Sequence, residues 1–211
     1  MSILEKLSSQ VADRSQQSNQ QVVSTCLENP ALLEEIAAGL SASQAGLVGD
    51  CAEVLCQVAS QQPVLVRPYS SALWPLLLHK TTRVRWEAAH ALALLTACAP
   101  AAIKSLLPGL GEVFRTDVSI IVRDYIADCI ANYAGTSPDA AQEAYPLLKE
   151  FLDAYGGKHA GHALHGLANV AGMLPELRPE LGRIAKENVR VHKAVVRKAA
   201  LELQKATRPV G

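Results

Sequence analysis

Three histidines, His159, His162 and His165, recur at intervals of three residues. On a helix that interval spreads them over about 120° of surface, so two neighbours could share a metal ion. Zinc sites on helices more often use i, i+4 pairs completed by a ligand from elsewhere. No Cys, Asp or Glu is placed beside this trio in the sequence, so polar surface and hydrogen-bonded packing are expected of it, with no metal. Covalent catalysis lacks its usual parts. The chain has no G-x-S-x-G elbow, no phosphate loop, no dinucleotide fingerprint and no cysteine with a nearby histidine in an expected context. Gly156-Gly157-Lys158 lacks the upstream glycine and the strand that a phosphate loop needs, and reads as a helix stop followed by a turn. Neither a catalytic residue nor a cofactor is expected.

A second set of chemistry-bearing residues emerges from a repeat. Val48, Val84, Val122, Ala160 and Val196 lie 36, 38, 38 and 36 positions apart. Each is followed at +4 by an apolar residue (Ala52, Ala88, Ile126, Leu164, Ala200) and at +7 by another (Leu55, Ala91, Cys129, Leu167, Leu203). Offsets of 0, 4 and 7 share one helix face, so one amphipathic helix is written five times. A period of 20–50 residues marks stacked repeats. Two positions after each anchor, about 200° around the helix, stand Asp50, Trp86, Asp124, His162 and Lys198. If neighbouring repeats stack at the spacing of packed helices, roughly 10 Å, these five form a ladder facing solvent, flanked by His90 and Asp128. Exposed tryptophan often anchors interfaces, which makes Trp86 the most suggestive rung.

The elements that must position this ladder are legible too. Between successive copies lies a second helix, usually opened by proline: Pro30 before 31–40, Pro100 before 101–115, Pro138 before 139–155, Pro179 before 180–187. Proline suits a first helical turn because its missing N–H would go unpaired there. The stretch 64–79 carries Pro68 and Pro75 and should be kinked or start late. Residues 1–28 read as an amphipathic helix pair with a Gln/Ser-rich middle. The predicted fold is all-α: a right-handed α-α superhelix, or α-solenoid, of about five hairpins (30–207, inner helices starting near 45, 82, 119, 158 and 192) behind an N-terminal helical cap (1–29). A solenoid is one continuous stack, so 1–211 is expected to be a single domain.

At Val84-Arg85-Trp86-Glu87-Ala88-Ala89-His90-Ala91-Leu92 the chain resembles the inner helix of HEAT repeats. Val122-Arg123 and Val196-Arg197 repeat the Val-Arg start, and Asp117 lies six residues before Arg123, where the family has its turn aspartate. The resemblance covers about residues 30–207 and implies that Arg85, Arg123 and Arg197 are structural, bridging neighbouring turns. Gly49 and Gly161 replace the repeat arginine, and His79 stands where Asp would precede Arg85, so an Asp–Arg ladder is incomplete. Among enzymes built on such arrays, deoxyhypusine hydroxylase holds di-iron through His-Glu dyads; no His-Glu pair occurs here. HEAT-like alkylpurine DNA glycosylases use tryptophans, an aspartate and basic residues, which Trp86, Asp124 and Arg123 match only in part.

Composition narrows the partners. The chain of 211 residues is 49 % hydrophobic with net charge zero, so no whole-molecule field draws it to nucleic acid or membrane. Residues 1–177 hold 11 Lys/Arg against 17 Asp/Glu, whereas 178–211 hold 9 against 3. The five cysteines form no C-x-x-C pair, and no stretch reads as a signal core or membrane span, which predicts a reduced, cytoplasmic setting. HEAT arrays are mostly binding scaffolds. The expected function is a non-enzymatic scaffold or adaptor that holds a protein or peptide on its concave face. The alternative is nucleic-acid binding through Arg190, Lys193, Arg197, Lys198 and Lys205, with a glycosylase ranking below both.

Overall fold

The computed structural model describes residues 2–13, 15 and 17–208, and among these every regular element is helical. Two compact units divide the chain, 1–102 and 103–211. The first opens with a 3-10 turn, Leu4–Lys6, and α1, Gln17–Glu28. The expected N-terminal helix pair is thus one helix and one turn. Residues 7–13 instead form turns closed by backbone hydrogen bonds such as Gln10 N–H to Leu7 O. Pro30–Leu32 is a 3-10 turn leading into α2, Leu33–Gly39, and α3 runs Ala45–Gln61. The proline-bearing stretch breaks into short steps: α4 Pro63–Val66, a 3-10 turn Arg67–Tyr69, α5 Ser70–Leu73 and a 3-10 turn Trp74–Leu78. Pro68 and Pro75 each enter a new turn, where the missing N–H costs least. The inner helix α6, Thr82–Leu95, follows.

The second unit takes most of α7, Pro100–Thr116, then α8 Ile120–Ala134, α9 Pro138–Gly157, α10 Ala160–Met173, α11 Arg178–Asn188 and α12 Ala194–Ala206. Inner helices pack on inner helices: α1 and α6 on α3 in the first unit, α8 and α12 on α10 in the second. Each anchor and its +4 and +7 companions are buried, with Ala160 the most exposed of the fifteen at 5 %. Cys51, Cys56 and Cys129 join this seam as small apolar groups, and burial pushes the Cys51 thiol up to about 12.

The seam tolerates little extra volume. A Cβ added at Gly166 would sit 2.6 Å from Leu148 Cδ2 and 2.9 Å from Ala131 Cβ, whereas one at Gly172, on the same helix, meets nothing within 4 Å. Alanine is the better helix former by about 1 kcal/mol, so Gly172→Ala should raise stability by up to that amount. Gly166→Ala should instead lose about 1–3 kcal/mol through overpacking, despite the same propensity gain. Urea unfolding of the two variants checks this opposed pair.

Candidate functional site: the inner-helix face

In the first unit the face is closed by a buried polar network. Asp50 is only 1 % exposed, contrary to the solvent-facing position expected of it. Its Oδ2 accepts from the Ser9 backbone N–H at 2.7 Å, because the turns of residues 7–13 fold over this part of α3. Its Oδ1 accepts from Asn19 Nδ2 at 3.0 Å and from Arg83 Nη2 at 2.8 Å. Glu53 Oε2 takes the same two donors, at 2.9 Å and 2.5 Å. Asn19 therefore bridges α1 to α3, and Arg83 bridges α6 to α3. Burial pushes the Asp50 carboxyl up, but hydrogen bonds from Ser9 and Asn19 and the nearby guanidinium outweigh it and hold it below its ordinary value. Arg83 has room because Gly49 stands where a repeat arginine would: a Cβ there would lie 3.5 Å from Arg83 Nη1.

Trp86 is half-buried and donates from Nε1 to Glu87 Oε1 at 2.8 Å. Burial pushes the Glu87 carboxyl up, and the indole donor only partly offsets this. His90, one turn on, is also half-buried. Neither Trp86 nor His90 is lost to the core, while Asp50 is.

In the second unit the three histidines do have carboxylates beside them, which corrects the expectation that none was near. His159 Nδ1 lies 2.7 Å from Asp124 Oδ1, and His162 Nδ1 lies 2.6 Å from Asp128 Oδ1. His162 Nε2 is 3.4 Å from Asp124 Oδ1, and His165 Nδ1 is 3.6 Å from Glu202 Oε2. The partners come from the neighbouring repeats, 34 to 38 positions away, so adjacency in sequence could not reveal them. No group of three or more ligating side chains arranged for a metal occurs among the described residues. A shallow groove of about 200 Å³ between α10 and α12 is lined by Asp128, His162, His165, Lys198 and Glu202 over Gly161 and Val195. Two rungs of the expected ladder, His162 and Lys198, and the flanking Asp128 therefore share one surface.

The repeat arginines stand in three different environments. Arg85 Nη1 donates to the carbonyls of His79 and Lys80, tying the turn before α6. Arg123 places its guanidinium carbon 3.6 Å over the Tyr155 ring. Arg197 is exposed. Asp117 Oδ1 accepts from the Ser119 N–H at 2.8 Å, closing the turn before α8.

Tyr155 sits in a strained turn. Helical geometry in α9 stops at Asp153; Ala154 is extended, and Tyr155, Gly156 and Gly157 have φ of 54°, 66° and 72°. Glycine adopts this region freely, but at tyrosine it costs about 1–3 kcal/mol, so the surroundings must hold it. They do: Tyr155 Oη donates to Arg115 O at 2.6 Å, while its ring packs edge-on to His159, 5.6 Å between centroids. His159 itself is fully buried, also against Phe114. Residues that sequence reasoning missed (Asn19, Glu53, Arg83, Tyr155) gain their roles from contacts between distant segments.

No protein-family model matches the chain, and no functionally curated protein matches it. Similar solved structures do exist. A designed armadillo repeat protein in complex with the peptide (KR)4 aligns with TM-score 0.74 at 17 % identity, covering 98 % of each chain. An engineered protein aligns at 0.73 and 18 %, covering 97 % of this chain and 94 % of its own. An archaeal HEAT-like repeats protein from Thermococcus onnurineus NA1 aligns at 0.57 and 13 %, covering 90 % and 92 %. Together with the packing above, these define the fold as an armadillo/HEAT-type α-solenoid.

Two stability effects follow from the face. The Asp128 hydrogen bond, opposed by burial and helped by the charges of Asp128 and Asp124, raises the His162 pKa above its ordinary value of 6.5. The stabilisation is therefore fully present below about pH 6.5 and is lost as pH rises through the raised folded value. Urea midpoints should fall over that window, and Asp128→Asn should flatten the fall. Removing Arg83 strands two buried carboxylates, so Arg83→Met should cost about 3 kcal/mol at neutral pH in the same assay.

Proposed function

We propose that the protein is a non-enzymatic scaffold that holds a protein or peptide partner on the concave, inner-helix face of a HEAT-type array. The functional unit is taken as the whole of 1–211, with 1–29 as a cap and 30–207 as repeats. The groove between α10 and α12 carries this reading, because it gathers Asp128, His162 and Lys198 on one open surface. The structural likeness to a designed armadillo repeat protein in complex with the peptide (KR)4 supports a polypeptide partner. Most carboxylates of the face already have partners within the protein: Asp50 and Glu53 with Arg83, Asp124 and Asp128 with histidines. Charge on the face therefore selects and steers a partner more than it holds one. Trp86, half-buried on this face, supplies a contact that does not depend on charge.

No described helix is long and apolar enough to cross a membrane, and a cytoplasmic setting is part of the proposal. Affinity purification of the tagged protein, with mass spectrometry, identifies partners. Trp86→Ala and Lys198→Glu should each reduce recovery of the principal partner at least fivefold while circular dichroism shows both variants folded, although Trp86→Ala also lowers the thermal midpoint by removing the donor to Glu87. Undiminished recovery with both variants would remove the inner face as the binding surface. Capture of nucleic acid that disappears steeply between low and physiological salt would instead favour Arg190, Lys193, Arg197, Lys198 and Lys205 as phosphate contacts, all of which are exposed.

A further inference from the structure

The two glycines that follow Tyr155 in its strained turn border a cavity in the second unit. A space of about 700 Å³ opens between the turn after α9 and the turn before α12. Its apolar lining is Leu152, Ala160, Val191 and Val196. The two positive-φ glycines, Gly156 and Gly157, leave one wall without side chains, and a Cβ at Gly156 would meet nothing within 4 Å. Asn188, His192, Lys193 and a single carboxylate, Asp153, complete the lining. Lys193 is fixed across the mouth by donating from Nζ to the Lys158 carbonyl at 3.0 Å. An ammonium carries three donors, so this bond does not exhaust it. Lys158 and Arg190 are exposed in the same two turns, and residues 178–211 carry a net charge of +6. The volume lies within the range of sites that bury a ligand of several side chains, and an apolar floor with a few polar groups is how such sites are built.

We infer that this cavity is a docking site for an acidic polypeptide segment, taking one large apolar side chain (Leu, Phe or Trp) between Leu152 and Val191 while flanking carboxylates meet Lys193 and His192. The charge balance selects the occupant. A basic segment would meet Lys193 and His192 in the lining against one aspartate, with Lys158 and Arg190 exposed in the flanking turns, and a phosphate backbone has nothing to place on the apolar floor. The inference rests on the reading of the protein as a polypeptide-binding array but uses none of the inner-face residues of that reading. Val191 is 39 % exposed at the rim, so it can be enlarged without disturbing the seam.

The test is selection of a displayed library of random twelve-residue peptides on the full-length protein, followed by fluorescence-anisotropy titration of the synthesised winners. The expected consensus places a large apolar residue beside at least two Asp or Glu. Affinity should fall at least tenfold in Val191→Trp, which fills the cavity, and in Lys193→Glu, which reverses the rim charge. Circular dichroism confirms that each variant is folded, and Lys193→Glu decides alone if Val191→Trp is not. A basic or anchor-free consensus, no selected peptide at all, or winners indifferent to the folded variants would overturn the inference. Trp86→Ala separates the two readings. Cavity peptides unaffected by it sustain this site even if the inner face fails. A partner lost in Trp86→Ala, with no acidic peptide selected, sustains the inner face and sinks the cavity.

Discussion

Everything in each unit depends on the inner helices approaching closely enough to share one seam. That constraint explains the composition of the chain. Alanine, glycine and cysteine recur where helix meets helix, since a larger side chain on one side must be answered by a smaller one on the other. Gly166 accepts Leu148 and Ala131 against its own backbone, and Ala88 and Ala91 do the same service on α6 with smaller methyl groups. Outer helices are less constrained, and they vary accordingly. The outer segment before α6 is four short pieces, whereas α7 and α9 are long and each carries an internal proline, Pro108 and Pro146, eight residues after its opening one.

Close approach also brings the polar residues of neighbouring inner helices within hydrogen-bonding range. A carboxylate on one helix then meets a cation or imidazole on the next, and the face neutralises itself from inside. In the first unit this has gone furthest, with Asp50 and Glu53 buried under Asn19 and Arg83. The network ties α1 and α6 to α3 through Asn19 and Arg83, and leaves Arg83 Nε buried without a hydrogen-bond partner. In the second unit Asp124 and Asp128 are 28 % and 33 % exposed and paired through histidine, His159 in the core and His162 nearer the surface, and the raised pKa of His162 makes its pairing responsive to pH.

The repeat was fully readable in one dimension because burial along an inner helix depends on spacing alone. Anchors, companions, opening prolines and the Gly156-Gly157 stop all follow from local rules, and the seam they imply is the one observed. The polar face was read less well. Asp50 shares its offset with Trp86 and Lys198, yet the turns of residues 7–13 cover it, and nothing in α3 itself signals that cover. The partners of His159 and His162 lie one repeat earlier, so their pairing becomes visible only when α8 and α10 are placed side by side. Repeat spacing does set Asp124 and His162 on successive rungs, both two after their anchors, but the nearest carboxylate to His162 is Asp128, which stands six after its own anchor.

The two glycines that replace repeat arginines carry a consequence for modularity. At Gly49 the vacated volume is filled by the Arg83 guanidinium of the following repeat, and at Gly161 by Val195 of the following repeat, whose Cγ2 would stand 3.4 Å from an added Cβ. The unit of inheritance along this array is therefore a pair of positions that straddles a repeat boundary. Shuffling, duplication or grafting of single repeats would separate each glycine from the side chain that packs over it, whereas cuts that keep the two together preserve the contact.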